Sequence, residues 1–521
     1  MKEFLQKLGG AVIGVLSGFD RVLFRGSLRG FCFAEGMKMY LCVNKILYKD
    51  AGQHFHAIST RVKDAAERIA EERGRPLVFL ESGQISKEER ARKIACDDGI
   101  DNGLICVLTA VEPCRSFEIR GDRVKKHQYL RCAMRKCLHY YFYYMHAELG
   151  FMHVRLQSWF PFTIHVCLNG REWLARALDR EKIGYLKSEN CFRDIQDLER
   201  AQVLAHAQLS TDWPTLLNGL ANAVNPLCPK LFGKFETEYY WSAFQTEWAT
   251  DVMFKSPRLL ETVYPRFIRH CIHTFKSRDA LRFLGHYVSP TGKLHYRFKK
   301  EVVTDLKERP EGMRIKYRVG RNWVKMYDKE TSVLRHETTI NYPRSFKVYR
   351  PKEGGRKDRL AWRRLRNGIA DLHRRAAVSQ ACNERHMAAL AKIEDNRSLE
   401  EAMGGICQPV HWKGQRCRAL NPLGSDAEIL NAVGRGDYNL NGFRNRDLQE
   451  QLYKLPPQDE KETRRRSAQV TRKLRLLRAH QLIKKVPKTH RYQLTEKGRT
   501  LIVALGAAKQ ASIRRLTDLA A

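Results

Sequence analysis

The spacing of apolar residues changes along this chain, and that change restricts its fold more than any other feature. In residues 1–170, short apolar runs alternate with charged stretches at helical spacing, which predicts buried strands and helices in alternation. Residues 171–290 have helical spacing over most of their length, and residues 291–350 return to strand-like alternation. We therefore predict a multidomain α+β protein whose N-terminal body mixes α/β and antiparallel β structure and whose middle is helical.

Residues 425–521 have the most regular pattern. Two short amphipathic helices precede a long helix at 464–480, whose apolar stripe is Val470, Leu474 and Leu477, and two short basic strands follow. This order resembles the winged-helix DNA-binding domains of MarR-like regulators. Side chains outside the stripe would face a major groove and the wing would contact phosphate; these candidate nucleic-acid-binding residues are Arg465, Gln469, Arg472, Arg475, Lys488 and Arg491. A winged helix used only for protein contacts is the alternative.

The chain is long enough for several domains, since it has 521 residues and one domain typically takes about 150. We expect five segments: an α/β and antiparallel β body at 1–170, a helical region at 171–290, a basic antiparallel strand set at 291–350, a basic helical linker at 351–424 and the C-terminal winged helix at 425–521.

Positive charge is concentrated in the second half of the chain. The formal net charge is +37, of which residues 1–250 supply +6 and residues 251–521 supply +31. Such an excess favours a polyanionic partner, either duplex DNA or structured RNA. The sequence contains no Walker loop, no Gly-x-Gly-x-x-Gly fingerprint and no nucleophile elbow. Nothing in it therefore favours a metabolic enzyme that acts on small molecules.

The sequence predicts a cytoplasmic protein with no membrane partner. No stretch approaches 18 consecutive apolar residues, and the apolar run at 8–19 is followed directly by charged residues. Fourteen cysteines without a Cys-x-x-Cys motif are typical of reduced thiols. The Cys382/His386 pair and the group Cys407, His411 and Cys417 have unusual spacing for zinc, so we expect structural thiols there.

A hairpin at 323–340 carries the main catalytic candidates. Asp328, Arg335 and Glu337 are expected on one face, where the two acids would bind Mg²⁺ or Mn²⁺ against a phosphate. The strings 324–329 and 334–337 resemble the Tyr-Asp-Lys and Leu-Arg-x-Glu strands of plasmid rolling-circle replication initiators. That resemblance implies a metal-binding acid and a nucleophilic tyrosine, although Tyr327 is expected on the opposite face. A salt-bridged sheet face is the alternative.

Four other acids are second in line for catalysis. Asp20 and Glu112 each end an apolar run, the position from which ribonuclease-H-like transposases and nucleases assemble their metal sites; a capping or turn role is the alternative. Glu247 and Asp251 are four apart in a run at 241–254 that we predict to be helical, where an intrahelical ion pair with Lys255 is the alternative.

Two strands offer further polar rows for a nucleic-acid backbone. Alternation predicts one shared face in each strand, and the two rows are His153, Arg155 and Gln157, and Arg314, Lys316 and Arg318.

These patterns together favour a nucleic-acid-binding protein of a mobile genetic element that acts on DNA. Its chemistry would be metal-dependent nicking or cleavage, as in transposases or replication initiators. The alternative is a non-catalytic binder, either the protein component of a ribonucleoprotein or a winged-helix regulator.

Overall fold

The architecture is that of a computed structural model. It describes every residue except 82–85, 123, 125–126, 229, 290–297, 310–311, 353, 355, 357–358, 392–398, 436–437, 439–441, 454, 488 and 512–521. Lys488, one of the predicted wing residues, thus lies outside the described residues.

The strands are numbered in chain order. They are β1 (Val12–Leu28), β2 (Leu77–Phe79), β3 (Gly103–Asp122), β4 (His127–His146), β5 (Gly150–Gln157), β6 (Ile164–Asn169), β7 (Tyr185–Ser188), β8 (Cys191–Ile195), β9 (Tyr239–Phe254), β10 (Val302–Arg309), β11 (Gly312–Val319), β12 (Asn322–Lys329), β13 (Val333–Ile340), β14 (Lys347–Pro351), β15 (Leu360–Arg364), β16 (Val410–Trp412), β17 (Gln415–Cys417), β18 (Ile483–Lys485) and β19 (Tyr492–Leu494).

The helices are numbered in the same way. They are α1 (Lys2–Leu8), α2 (Ala34–Val43), α3 (Ala51–Glu72), α4 (Lys87–Asp97), α5 (Gly170–Arg180), α6 (Leu198–Ala207), α7 (Trp213–Val224), α8 (Pro257–Thr274), α9 (Ser277–Phe283), α10 (Leu372–Ala391), α11 (Leu399–Gly404), α12 (Ala427–Val433), α13 (Asn445–Leu452), α14 (Glu460–Ala479) and α15 (Glu496–Gln510).

One mixed sheet of eleven strands organises the protein. Its order is β10-β11-β12-β13-β9-β1-β6-β5-β4-β3-β2, and every neighbouring pair is antiparallel except β2 and β3. The strands predicted in the N-terminal body and in the basic strand set therefore belong to the same sheet, which runs across the expected boundaries between the first three segments.

The sheet consists of two halves with the same connectivity, except that β2 of the first half has no counterpart among the described strands of the second. In the first half, β1 is followed by helices and then by the meander β3 to β6, whose last strand pairs with β1. In the second half, β9 is followed by helices and then by the meander β10 to β13, whose last strand pairs with β9. The two first strands pair with each other at the centre. The sequence contains no repeat of fixed period, so this duplication is visible only in the topology.

Helices pack on one face of the sheet in both of its halves. Helices α2, α3 and α7 pack on it around Phe24, Phe142 and Val166, and α8 and α10 pack around Val252 and Leu334. We call this the covered face.

The other face, which we call the open face, is only partly covered. Helix α4 packs at the β3 to β5 side, and α5 and α6 pack at the end of the sheet around Leu16, Met253 and Val333. Helix α5 approaches β1 closely because its first residue is Gly170, where a Cβ would overlap the carbonyl oxygen of Phe19. Between these helices, the centre of the open face carries polar side chains.

The strand β9 corrects one prediction. The run at 241–254, expected to be helical, is all but the first two residues of a 16-residue strand. Its aromatic and β-branched residues favour a strand, and strand alternation also places Glu247 and Asp251 on one face. The four-residue spacing between the two acids therefore did not distinguish a helix from a strand.

The C-terminal segment has an apolar core of its own. Val470, Leu474 and Leu477 of α14 are buried in it as predicted, together with Leu448 of α13. The short strands β18 and β19 form an antiparallel pair, and Phe443 adds a bridge to Tyr492. Among the described residues, no helix combines the length and apolar character needed to cross a membrane.

Candidate metal centre

Three acidic side chains meet at the centre of the open face. Asp20 lies on β1, Glu247 on β9 and Glu337 on β13, and β9 is hydrogen-bonded to both other strands. One carboxylate oxygen from each residue lies within 4.8 Å of the other two. Carboxylates grouped in this way suit Mg²⁺ or Mn²⁺. In the described part of the chain, no other group of three acidic, histidine or cysteine side chains is placed to hold a metal ion.

Asp20 reaches this group because β1 is irregular at that point. Phe19 pairs with Trp248 and Arg21 pairs with Glu247, so Asp20 is an extra residue between two consecutive pairs. A β-bulge of this kind re-aims side chains and is common beside active sites. It lets Asp20 turn towards the open face, on which Glu247 and Glu337 also lie.

A buried network of ion pairs and hydrogen bonds holds the side chain of Asp20 in place. The guanidinium of Arg335 donates to Asp20 Oδ1 at 2.8 Å and to both carboxylate oxygens of Asp251, at 2.6 and 2.9 Å. Arg171 donates to Asp251 Oδ2 at 2.8 Å, and the side-chain amide of Asn190 donates to Asp20 Oδ1 at 2.6 Å. Because Arg171, Asp251 and Arg335 are all buried, they position Asp20 and have no direct access to a substrate.

Two residues of β12 hold Glu337. Lys325 Nζ lies 2.8 Å from Glu337 Oε1, and the hydroxyl of Tyr327 donates to Glu337 Oε2 at 2.8 Å. Burial raises the pKa of Tyr327 well above its usual value, and the Glu337 charge acts in the same direction. Tyr327 is therefore a neutral hydrogen-bond donor at neutral pH, in a state opposite to that of an activated nucleophile.

The three carboxyl groups differ in their protonation. Burial, followed by the nearby Glu337, raises the pKa of Glu247 to about 7, and burial also raises the pKa of Asp20. Burial opposes the ionisation of Glu337 as well, but Lys325 and Arg335 hold its pKa below the usual value. Like charges so close together resist simultaneous ionisation, and a divalent cation placed among them would relieve that repulsion.

Cationic side chains share the open face with the acids. Arg21 is next to Asp20 and its side chain is half exposed. Lys316 packs over the ring of Trp323 at 4.1 Å, and Arg318 pairs with Glu301 at 2.8 Å. The predicted row of Arg314, Lys316 and Arg318 is thus partly exposed on β11, while the alternate residues of that strand are buried. This face joins acids that suit a metal ion to cations that suit phosphate.

The register of the β12–β13 hairpin corrects the predicted acid pair. Asp328 pairs with Leu334, whereas Lys325 pairs with Glu337, so Asp328 lies on the covered face and Glu337 on the open face. The loop between the strands has three residues, 330–332, and the predicted shared face needs an even number. Asp328 therefore does not belong to the metal centre, and burial raises its pKa to about 6.

Glu112 also lies away from the centre. It is paired with Lys87 at 3.1 Å and Arg155 at 3.4 Å, and the hydroxyl of Tyr141 donates to it at 2.8 Å. Glu112 and Asp20 do not meet, because β6, β5 and β4 lie between their strands in the sheet.

The row on β5 has the predicted alternation but is not a free surface. His153, Arg155 and Gln157 pair with alternate residues of β4, and so share one face. Gln157 is buried and donates to the carbonyl oxygens of Trp159 and Phe160. Burial lowers the pKa of His153 to about 3, so its ring is neutral. Gln157 is thus a structural residue, contrary to its predicted role in binding nucleic acid.

On α14, the residues predicted to read bases lie outside the apolar stripe. Arg465, Gln469, Arg472 and Arg475 are exposed. Arg465 lies 3.6 Å from Glu462, Tyr453 donates to Gln469 at 2.6 Å, and Arg475 donates to Gln415. Arg491 precedes β19 and its backbone N–H is bonded to Thr489.

In the described part of the chain, no three of the residues considered for zinc come together. Cys382 and His386 are buried in α10, where Nδ1 of His386 lies 3.1 Å from Nδ1 of His336. Cys417 lies on β17, which pairs with β16. The sulfur of Cys382 accepts from Arg385. None of these thiols belongs to the ligand group at the metal centre.

No protein-family model matches the chain, and no curated protein and no solved structure matches it significantly.

Proposed function

We propose that the protein cleaves or transfers phosphodiester bonds in nucleic acid, with DNA as the favoured substrate, in a divalent-metal-dependent reaction at Asp20, Glu247 and Glu337. The observation that carries the proposal is the meeting of these three carboxylates within 4.8 Å on adjacent strands. A bound Mg²⁺ or Mn²⁺ would neutralise charge on the phosphate and activate the attacking water.

The residues around the acids have complementary tasks. Arg21 and Lys316 lie on the same face and would hold the phosphate backbone by charge-assisted contacts. Arg335 keeps Asp20 in place, and Lys325 keeps Glu337 ionised. The hydroxyl of Tyr327 donates its proton in a hydrogen bond to Glu337. This favours water over Tyr327 as the nucleophile.

We also propose that residues 425–511 form a winged-helix module that binds duplex DNA, as in a transposase or replication initiator of a mobile genetic element. The order α12, α13, α14 and the pair β18–β19 supports this, and so does the Phe443–Tyr492 bridge, which attaches the segment before α13 to the wing.

Arg472→Ala is expected to relax base preference, at a cost of about 1–3 kcal/mol for a site where the guanidinium contacts guanine. Arg472 is exposed on the outward face of α14. The measurement is competitive binding of a randomised duplex library by the wild type and the variant. Arg464→Ala is the matched control, since Arg464 lies on the same helix in an ion pair with Glu460. Equal selectivity of both variants and the wild type would assign the module to protein contacts.

A non-catalytic role in binding structured RNA or duplex DNA is the second candidate function. The specific observation in its favour is the Lys325–Glu337 ion pair of 2.8 Å, because a lysine already supplies positive charge to one of the three acids. The two functions are separated by a nicking assay on supercoiled plasmid, with Mg²⁺ or Mn²⁺ against EDTA, followed by the same assay on RNA.

Metal binding is expected to strengthen as the pH rises through 7. Glu247 has a pKa of about 7, so a proton competes with the ion below that pH. The stability of the metal-free protein depends on pH in the opposite direction to metal binding. Protonated Glu247 stabilises the fold at low pH, and this contribution is lost as the pH rises through 7. Mn²⁺ should therefore raise the melting temperature more at about pH 8 than at about pH 5.5. In Glu247→Gln this pH dependence should be greatly reduced; equal shifts at both pH values in the wild type would contradict the assignment.

A further inference from the structure

A small two-stranded ribbon exposes two aromatic rings side by side. Tyr349 of β14 pairs directly with Trp362 of β15, and their ring centroids are 5.8 Å apart. Their exposed fractions are 56% and 69%. Large aromatic side chains are seldom exposed to this extent, and a contiguous exposed apolar patch often marks a binding site.

The ribbon is held rigidly, so the exposure is a feature of the fold. Its other face carries Val348, which packs in an apolar cluster with Phe346 and Leu365. The guanidinium of Arg350 is largely buried, donates to the carbonyl oxygen of Arg364 at 2.9 and 3.2 Å and lies 3.6 Å from the buried Asp371. With one face fixed in this way, Tyr349 and Trp362 must point outward.

Positive charge accompanies the rings. Residues 344–364 contain nine basic and two acidic side chains. Lys347 and Arg364 are paired directly beside the two rings and are both exposed on the same face. Alternation of aromatic rings with cations along one surface is the pattern of single-strand nucleic-acid binding, in which bases stack on rings and phosphates lie on cations.

The ribbon is tied to the strand that carries part of the metal centre. After β15, the carbonyl oxygen of Asn367 accepts from the backbone N–H of Ala243 at 2.8 Å, and Gly368 forms a bridge to Ser242. Ser242 and Ala243 belong to β9 and lie four to five residues before Glu247. A nucleic-acid strand held at the ribbon would thus bind to the same rigid unit that holds the catalytic acids.

We propose that the β14–β15 ribbon binds unpaired bases of a nucleic-acid strand by stacking them on Tyr349 and Trp362. The inference rests on the proposed function, because it assumes that nucleic acid is the substrate. It adds that the substrate contains a single-stranded segment. Duplex without unpaired bases offers no base faces to the rings, and it would be held by the cations alone.

The test is fluorescence anisotropy, in EDTA, with a labelled single-stranded oligothymidine and a labelled blunt-ended duplex of two complementary strands. The double variant Tyr349→Ala/Trp362→Ala keeps every cation. It should bind the single strand at least about tenfold more weakly than the wild type, and the duplex within about twofold. Because both side chains are exposed, their removal should leave thermal unfolding unchanged.

Two further variants complete the test. Tyr349→Phe/Trp362→Phe keeps two stacking faces and should bind within about threefold of the wild type. Phe79→Ala removes a similarly exposed ring from β2, an edge strand of the eleven-stranded sheet to which the ribbon does not belong, and should have no effect. An unchanged affinity of the alanine variant for the single strand, or an equal loss on duplex, would overturn the proposal and favour a protein partner for the ribbon or a purely electrostatic contact.

The outcomes also separate the ribbon from the cleavage reaction, since EDTA removes any metal. Ribbon-dependent binding by a wild type that never cleaves would support the ribbon and refute the proposed chemistry. If the wild type cleaves and the alanine variant still binds single strands normally, the proposed chemistry is supported and the role of the ribbon is refuted. A wild type that binds no nucleic acid would overturn both.

Discussion

Glu337→Gln is expected to lower metal-dependent plasmid nicking at least about 1,000-fold, and Asp20→Asn and Glu247→Gln should have effects of similar size. Each change keeps the shape of the side chain and removes one anionic ligand. A bound divalent ion contributes several kcal/mol to the stabilisation of transition-state charge, and each 1.36 kcal/mol corresponds to about a tenfold change in rate. The measurement is the initial rate of conversion of supercoiled to open-circular plasmid in Mg²⁺ or Mn²⁺.

The chain offers two matched controls for this experiment. Asp328→Asn changes an acid of the same hairpin that lies on the covered face. Glu112→Gln changes an acid whose partners are Lys87 and Arg155. Both variants should retain activity. Nicking that survives all three substitutions at the centre would place the chemistry elsewhere, and a wild type inactive on both DNA and RNA would favour the binding function.

The acid pair shows how sensitive a strand-based prediction is to register. The sequence correctly predicted a hairpin at 323–340, and Glu337 is part of the centre. Pairing Glu337 with Asp328 failed because the parity of a short loop decides which side chains share a face. The partners that the structure brings to Glu337 are Asp20 and Glu247, two acids that ranked second on sequence grounds.

The sequence could not assign Asp20 and Glu247 to one metal centre with Glu337, for two physical reasons. The contribution of Asp20 depends on a β-bulge, which has no reliable local signal. That of Glu247 depends on β9 being a central strand between β1 and β13, which is a long-range pairing. Its aromatic and β-branched composition was the available signal for a strand.

The C-terminal segment was easier to predict because its pattern is local. Val470, Leu474 and Leu477 have helical spacing, and the structure buries all three. The spacing within one helix is set by the helix itself, whereas the order of strands in a sheet depends on contacts between distant segments. The elements of this segment were therefore predicted well, and the joining of the first three segments through one sheet was not.

Arg335→Met is expected to lower the free energy of unfolding by about 3–5 kcal/mol, because it leaves buried carboxylates without a partner. Arg335 is 1% exposed and bridges Asp251, which is fully buried, and Asp20. Burial opposes the ionisation of Asp251, but Arg335 and Arg171 hold its pKa below the usual value. In the wild type this stabilisation is present above the unfolded pKa and is lost as the pH falls through the folded pKa.

Removal of Arg335 should therefore also change the pH dependence of stability. Without Arg335, burial is the dominant influence on Asp251 and Asp20, and their pKa values rise. Protonation of the two carboxylates at acidic pH then removes the cost of burying their unpaired charges. Urea unfolding at about pH 7 and about pH 4.5 should show a smaller difference between variant and wild type at the lower pH. Arg200→Met is the control, because Arg200 pairs with Glu181 at the surface, and the loss of an exposed ion pair should leave stability nearly unchanged.

The same substitution links the fold to the metal centre. Arg335 donates to Asp20 Oδ1, so without it Asp20 keeps Asn190 as its remaining side-chain donor among the described residues. The variant should then bind Mn²⁺ more weakly even under conditions where it is fully folded, since a less fixed ligand lowers affinity by about 10–100-fold. A variant that loses stability but keeps full metal affinity would show that the bulge alone positions Asp20, and that Arg335 serves only to neutralise Asp251.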